Sequence, residues 1–164
     1  MCRLDFTLER ELPLHVSAIE QLHRDAFGPG RFARTAFRVR EKVDPVPSLS
    51  YVATSHGYLA GSVRLSPIKI GSCQALLLGP LAVHPDFKNK GAGKLLMERA
   101  VKEAKTLDYC AILLVGDFDY YAKFGFQVVP MGQITMPGPV DPQRLLILPL
   151  DEDKASACKG HVTA

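Results

Sequence analysis

The chain has 164 residues, 47% hydrophobic and 23% charged, with a formal net charge of +3. That length suits one domain able to bury a continuous core without disulfides or a structural metal, and the composition excludes a disordered chain. No run reaches the roughly 18 apolar residues of a membrane span, the first residues lack a signal-type apolar stretch, and the charge is too mildly positive to indicate nucleic-acid binding, so a cytoplasmic protein is expected.

In chain order, residues 5–10 suit a strand, and residues 15–27 a helix with Ile19, Leu22 and Ala26 on one face. Gly28, Pro29 and Gly30 stop that helix. A second helix is predicted over 31–43, carrying Arg31, Arg34 and Arg38 along one side. Asp44, Pro45 and Pro47 end it. These arginines are expected on a solvated face; an acidic acceptor molecule is the alternative they would suit. Strands over 49–54 and 58–70 flank the turn Ser55-His56-Gly57 and read as an antiparallel hairpin. The turn Gly71-Ser72 leads into an apolar run over 75–83.

A helix follows over 91–107, with Ala92, Leu96, Ala100 and Ala104 on one face, small enough to lie close to a sheet. The short, continuously apolar run 110–115 suits the middle of a sheet covered on both faces. A short helix over 120–124, a strand beginning near Phe126 and a last strand over 144–150 complete the order, which is that of a mixed α+β sheet. One domain over 1–150 is expected, with 151–164 a polar, frayed tail. Cys2, Cys73, Cys110 and Cys158 are scattered and read as separate reduced thiols, and the five histidines form no spaced cluster, so no metal site is predicted.

The densest information lies between Leu78 and Lys94, where an apolar strand runs through a turn into a helix that begins with glycines. The first amides of a helix lack intrahelical partners and its dipole favours negative charge, so such a start binds phosphate. Gly91 and Gly93 let a pyrophosphate approach the backbone, and Lys88, Lys90 and Lys94 add positive charge. A nucleotide-triphosphate loop would need glycine at Lys88 and serine or threonine at Leu95, and a dinucleotide loop would need glycine or alanine at Leu96. Neither ATP nor NAD is indicated.

Lys88-Asn89-Lys90-Gly91-Ala92-Gly93 resembles the acetyl-CoA signature of the GNAT superfamily, Gln/Arg-x-x-Gly-x-Gly/Ala, behind a strand that often reads Leu-x-Val-x-Pro. Lys88 in place of Gln or Arg keeps a donor and loses the planar fork. Tyr121-Ala122-Lys123-Phe124-Gly125-Phe126 resembles the family's Tyr-x-x-x-Gly-Phe block, at the usual separation. The flavour is that of the small bacterial acetyltransferases.

The resemblance implies a mostly antiparallel sheet of six or seven strands, flanked by helices, whose fourth and fifth strands splay apart around a thioester. It implies acetyl-CoA as co-substrate and a primary amine, on a small molecule or peptide, as acceptor. Leu81 or Ala82 would polarise the carbonyl, and backbone through Val83 would pair with the pantetheine arm. The amides of Asn89, Lys90, Gly91, Ala92, Gly93 and Lys94 would hold the pyrophosphate, with Lys88 beside them. Tyr121 would be the general acid, with Tyr120 as the alternative. The base has no clear match; Asp117, Asp119 and Glu41 are the candidates, and His84 reads as structural. Pro80 donates no ladder hydrogen bond and suits a bulge at the splay. A catalytically silent CoA-binding sensor is the runner-up function, and the chain is expected as a monomer or homodimer.

Overall fold

The elements, in a computed structural model that describes residues 5–164, are β1 (Thr7–Arg10), α1 (Val16–Phe27), α2 (Thr35–Arg40), β2 (Tyr51–Ser55), β3 (Tyr58–Ile70), β4 (Cys73–Val83), α3 (Ala92–Ala104), β5 (Ala111–Val115), α4 (Phe118–Tyr121), β6 (Gln127–Val128), β7 (Ile134–Thr135), β8 (Leu145–Pro149), α5 (Glu152–Ala155) and β9 (Gly160–Thr163). The main sheet path is β1-β2-β3-β4-β5-β8-β6, antiparallel throughout except for the parallel β4–β5 pair. Two short strands exceed the expected count: β9 pairs with the end of β3 and, in parallel, with β7. The β2–β3 hairpin closes through His56 (φ 50°) and Gly57 (φ 82°), the paired positive φ angles that match the twist of the flanking strands.

The continuous apolar runs of β4 and β5 follow from burial on both sides of the sheet. Leu76, Leu78, Ile112 and Leu114 face one core layer, closed by Ala92, Leu96, Met97, Ala100 and Ala104 of α3. Their strand neighbours Ala75, Leu77, Ala111 and Leu113 face a second layer, with Val39, Ile147 and Val162. Period-two alternation therefore vanishes in the sequence because both faces want apolar residues.

Two expectations are corrected. The predicted helix over 31–43 is instead a 3-10 turn, Pro29–Ala33, and the short α2, because Arg34 is extended (φ −73°, ψ 137°) at the start of α2. Arg31 is thereby buried and donates to the Gly28 carbonyl at 2.8 Å, while Arg34 and Arg38 stay exposed. Residues 151–164 also form structure rather than a frayed tail. The Asp151 carboxylate accepts from the amides of Asp153 (3.1 Å) and Lys154 (3.3 Å) to start α5, and Cys158 and Val162 are buried in the second core layer.

Candidate active site

β4 and β5 pair only at Leu76–Ile112 and Leu77–Leu113, then part. On its other side β4 changes register with β3, from Leu65–Leu78 to Val63–Leu81, so that Gly79 and Pro80 together oppose Arg64. This is the bulge expected at Pro80, and it lies where the fourth and fifth strands splay. Two cavities flank the gap and share Leu81 and Tyr121. One, of about 550 Å³, runs toward the start of α3. The other, of about 410 Å³, lies on the side of α2 and contains Arg34, Arg40, Gly79, Pro80 and Arg144.

The first cavity brings together most of the residues singled out in the sequence: Leu81, Val83, Lys88, Asn89, Gly91, Ala92, Gly93 and Lys94, joined by Tyr120, Tyr121 and Lys123. Ala82 is buried in the sheet and Lys90 is exposed outside the cavity wall. The Leu95 amide donates to the Gly91 carbonyl at 3.0 Å, and among the described residues the amides from Asn89 to Lys94 before it have no backbone carbonyl partner. These unpaired donors, with the Lys88, Lys94 and Lys123 cations on the wall, form a cradle suited to a polyanion. A Cβ at Gly93 would stand 2.8 Å from the Tyr120 hydroxyl, so a larger residue here requires that side chain to shift.

Tyr121 lies at the junction. Its ring stands edge-on to Tyr120 (4.9 Å between centroids) and to Phe126 (6.0 Å), and it crosses Gly116 so closely that a Cβ there would collide. Burial above all, with smaller pushes from Tyr120 and Asp117 and against the opposing pull of Arg40 and Arg144, raises its phenol to about 12. Tyr121 therefore holds its proton at neutral pH. Tyr120, raised chiefly by burial, faces the loop rather than the gap.

Two residues that sequence reasoning did not single out belong to the same region. Arg40 reaches the bulge from α2. Its Nη2 donates to the Leu78 carbonyl across a long 3.4 Å, and a Cβ at Gly79 would come within 2.5 Å of it. Burial lowers Arg40 to about 10, which leaves it charged at neutral pH, and among the described residues its buried Nε has no hydrogen-bond partner. His23, on α1, is pushed down to about 4 by burial and then by Arg64, Arg40 and Arg31, so it is neutral; its buried Nε2 also has no partner among the described residues. His23 lines a third cavity of about 260 Å³ beyond Gly79 and Pro80. The only sequence signal was the buried phase of each helix, which reads as core.

The other candidates line neither of the two cavities that meet at Tyr121. Asp117 caps α4 by accepting from the Asp119 amide at 3.3 Å, and both side chains are exposed. Glu41 lines the third cavity. His84 accepts the Asp86 amide at 3.1 Å, a capping role. The reading of the cysteines as separate thiols is corrected for three of them. Cys73, Cys110 and Cys158 have sulfurs within 4.8 Å of one another because β4, β5 and the segment before β9 converge at one end of the sheet; Cys2 lies outside the described residues.

An acetyltransferase (GNAT) domain matches residues 47–128. The uncharacterized N-acetyltransferase YhbS of Escherichia coli K12 is 28% identical over 121 residues, covering 72% of this chain and 71% of YhbS. The crystal structure of E. coli YhbS in complex with CoA superposes with a TM-score of 0.83 at 23% identity, covering 98% of this chain and 89% of that one. A GNAT family acetyltransferase from Brucella melitensis, solved with acetyl-CoA, gives 0.62 at 24% identity, covering 88% and 96%.

Proposed function

Since the chain belongs to the GNAT acetyltransferase family, we propose that it transfers an acetyl group from acetyl-CoA to a primary amine, with Tyr121 as general acid. The observation that carries this reading is the gap between β4 and β5, at which a cationic, amide-lined cavity and a second cavity share Leu81 and Tyr121. CoA-bound relatives of the same fold support the choice of donor. The cavity fits that donor: amides from Asn89 to Lys94 are free for the pyrophosphate, and Lys88 and Lys94 neutralise its charge.

Acetyl-CoA supplies an activated thioester. The acceptor nitrogen forms a bond to the carbonyl carbon, the carbon–sulfur bond breaks, the amine loses one proton and the CoA sulfur gains one. An amide near Leu81, freed by the bulge, stabilises the charge that develops on the carbonyl oxygen. Tyr121 arrives protonated at neutral pH and gives hydrogen-bond and proton support to the leaving sulfur. Arg40 and Arg144 ease the loss of that proton, because both favour the phenolate.

A positioned acid contributes roughly 10²- to 10⁴-fold. Tyr121→Phe should therefore lose turnover within that range, measured as free thiol released from acetyl-CoA, while calorimetry finds CoA affinity unchanged. Wild-type turnover in that variant overturns the assignment. CoA binding without thiol release for any amine would favour a silent CoA-binding protein of the same fold.

A further inference from the structure

The cavity on the α2 side of the gap sets three guanidiniums, Arg34, Arg40 and Arg144, against one carboxylate, Asp141. That carboxylate, which accepts the Gln143 amide at 2.9 Å, offsets at most one of the three charges and leaves the wall net positive. The third cavity behind Gly79 and Pro80 differs. Arg40 stands between the two cavities and reaches this one as well, but here Arg31 is committed to the Gly28 carbonyl, Arg64 is held by both oxygens of Glu11 (2.6 and 3.0 Å), and Glu20, Glu41 and Asp44 lie on the same wall. Positive charge without a protein partner is therefore concentrated beside Tyr121.

Arg40 is the sharpest case. A buried guanidinium N–H is costly to leave without an acceptor, yet among the described residues its Nε has none and its one hydrogen bond is long. The guanidiniums are held in place by rings, Arg40 over Phe37 at 5.0 Å and Arg34 over Phe27 at 5.8 Å. Between the cations the wall is apolar, from Phe27, Phe37, Leu78, Pro80 and Val140. Such a cavity disfavours a second ammonium group and favours a ligand with an apolar body and an anionic end. The same field keeps an incoming amine neutral, the form that attacks.

Resting on the acetyl-transfer reading, we infer that the acceptor is an amine carrying its own anionic group, a carboxylate above all, next to an apolar side chain. Arg40 reads that charge with Arg34 and Arg144. Polyamines and lysine-rich peptides are then poor acceptors.

The test uses matched pairs that differ only in the carboxylate: phenylalanine against phenethylamine and leucine against 3-methylbutylamine, with spermidine as the polycation. A 1-amino phosphonate analogue of phenylalanine tells carboxylate from phosphoryl recognition. Thiol release should favour each acid over its decarboxylated partner by about ten-fold or more in kcat/KM, mostly through KM, the scale of one charge-assisted contact. The ratio should fall toward one in Arg40→Gln and, should that variant fold poorly, in the exposed-site variant Arg34→Ala.

Binding is measured separately, by calorimetry of N-acetyl-phenylalanine and N-acetyl-phenethylamine with the CoA-loaded protein. A preference for the acid that these substitutions remove supports the anion site whatever the turnover. Equal binding and equal turnover of both partners overturn it and leave acetyl transfer standing. A preference that survives both substitutions overturns the arginine assignment. Preferential binding without thiol release from any amine keeps the anion site and removes acetyl transfer.

Discussion

His23 carries a pH dependence whose sign follows from its surroundings. Burial and three arginines push its imidazole from 6.5 to about 4. Between those values the unfolded chain takes up a proton that the folded chain refuses. The contribution is therefore complete above pH 6.5 and is lost as pH falls toward 4. At one pKa unit per 1.36 kcal/mol, the loss is at most about 3 kcal/mol. Denaturant unfolding at pH 7.5 and pH 4.5 should show this slope in the wild type and a shallower one in His23→Gln; equal slopes would assign the acid sensitivity to other groups. The sequence hid His23 because a histidine on the buried phase of α1 looks like any core residue. It hid Arg40 because a helical arginine is usually solvated. Tyr121 was legible, since its spacing to Gly125 and Phe126 fixes it within a local block.

At the scale of elements, legibility followed the range of the interactions. The β3 range is that of the strand expected over 58–70, and β5 and α3 lie within one to three residues of expectation, because turn glycines, a short continuous apolar run and an alanine stripe are local signals. α2 was overextended because its start depends on Arg34 being extended, which no neighbour dictates. The α3 start makes its own prediction. Since a Cβ at Gly93 would stand 2.8 Å from the Tyr120 hydroxyl, Gly93→Val must displace that ring or narrow the cradle. CoA affinity by calorimetry should fall by about ten-fold or more, the scale of losing one or two charge-assisted contacts. Tyr121-dependent chemistry should survive at saturating acetyl-CoA. Undiminished affinity would mean that the pyrophosphate does not sit against this turn.

For the whole molecule, the lesson concerns where the fold ends. Composition makes 151–164 look dispensable, yet Cys158 (0% exposed) and Val162 (3%) are anchored in the core layer that also holds Ile68, Leu77, Leu113 and Ile147. They are the only fully buried positions of a segment whose other residues are exposed or half-buried, and two buried apolar residues in fourteen give no sequence period to detect. The same segment binds the ends of the sheet together. β9 pairs with β3 at Ile70–Val162 and with β7 at Ile134–Gly160, the Gly71 amide donates to His161 at 2.9 Å, and the Gln133 side chain donates to the Cys158 carbonyl at 3.2 Å. Removing the segment therefore uncovers a core face and frees the edge of β3. Burying one such aliphatic side chain is worth about 1.5–3 kcal/mol, so Val162→Asp should cost at least that, and truncation after Leu150 more. A fall in Tm of both proteins, together with aggregation through the uncovered strand edge, is the expected result. Unchanged thermal unfolding after truncation would restore the picture of an independent tail and detach it from the domain that carries the gap between β4 and β5.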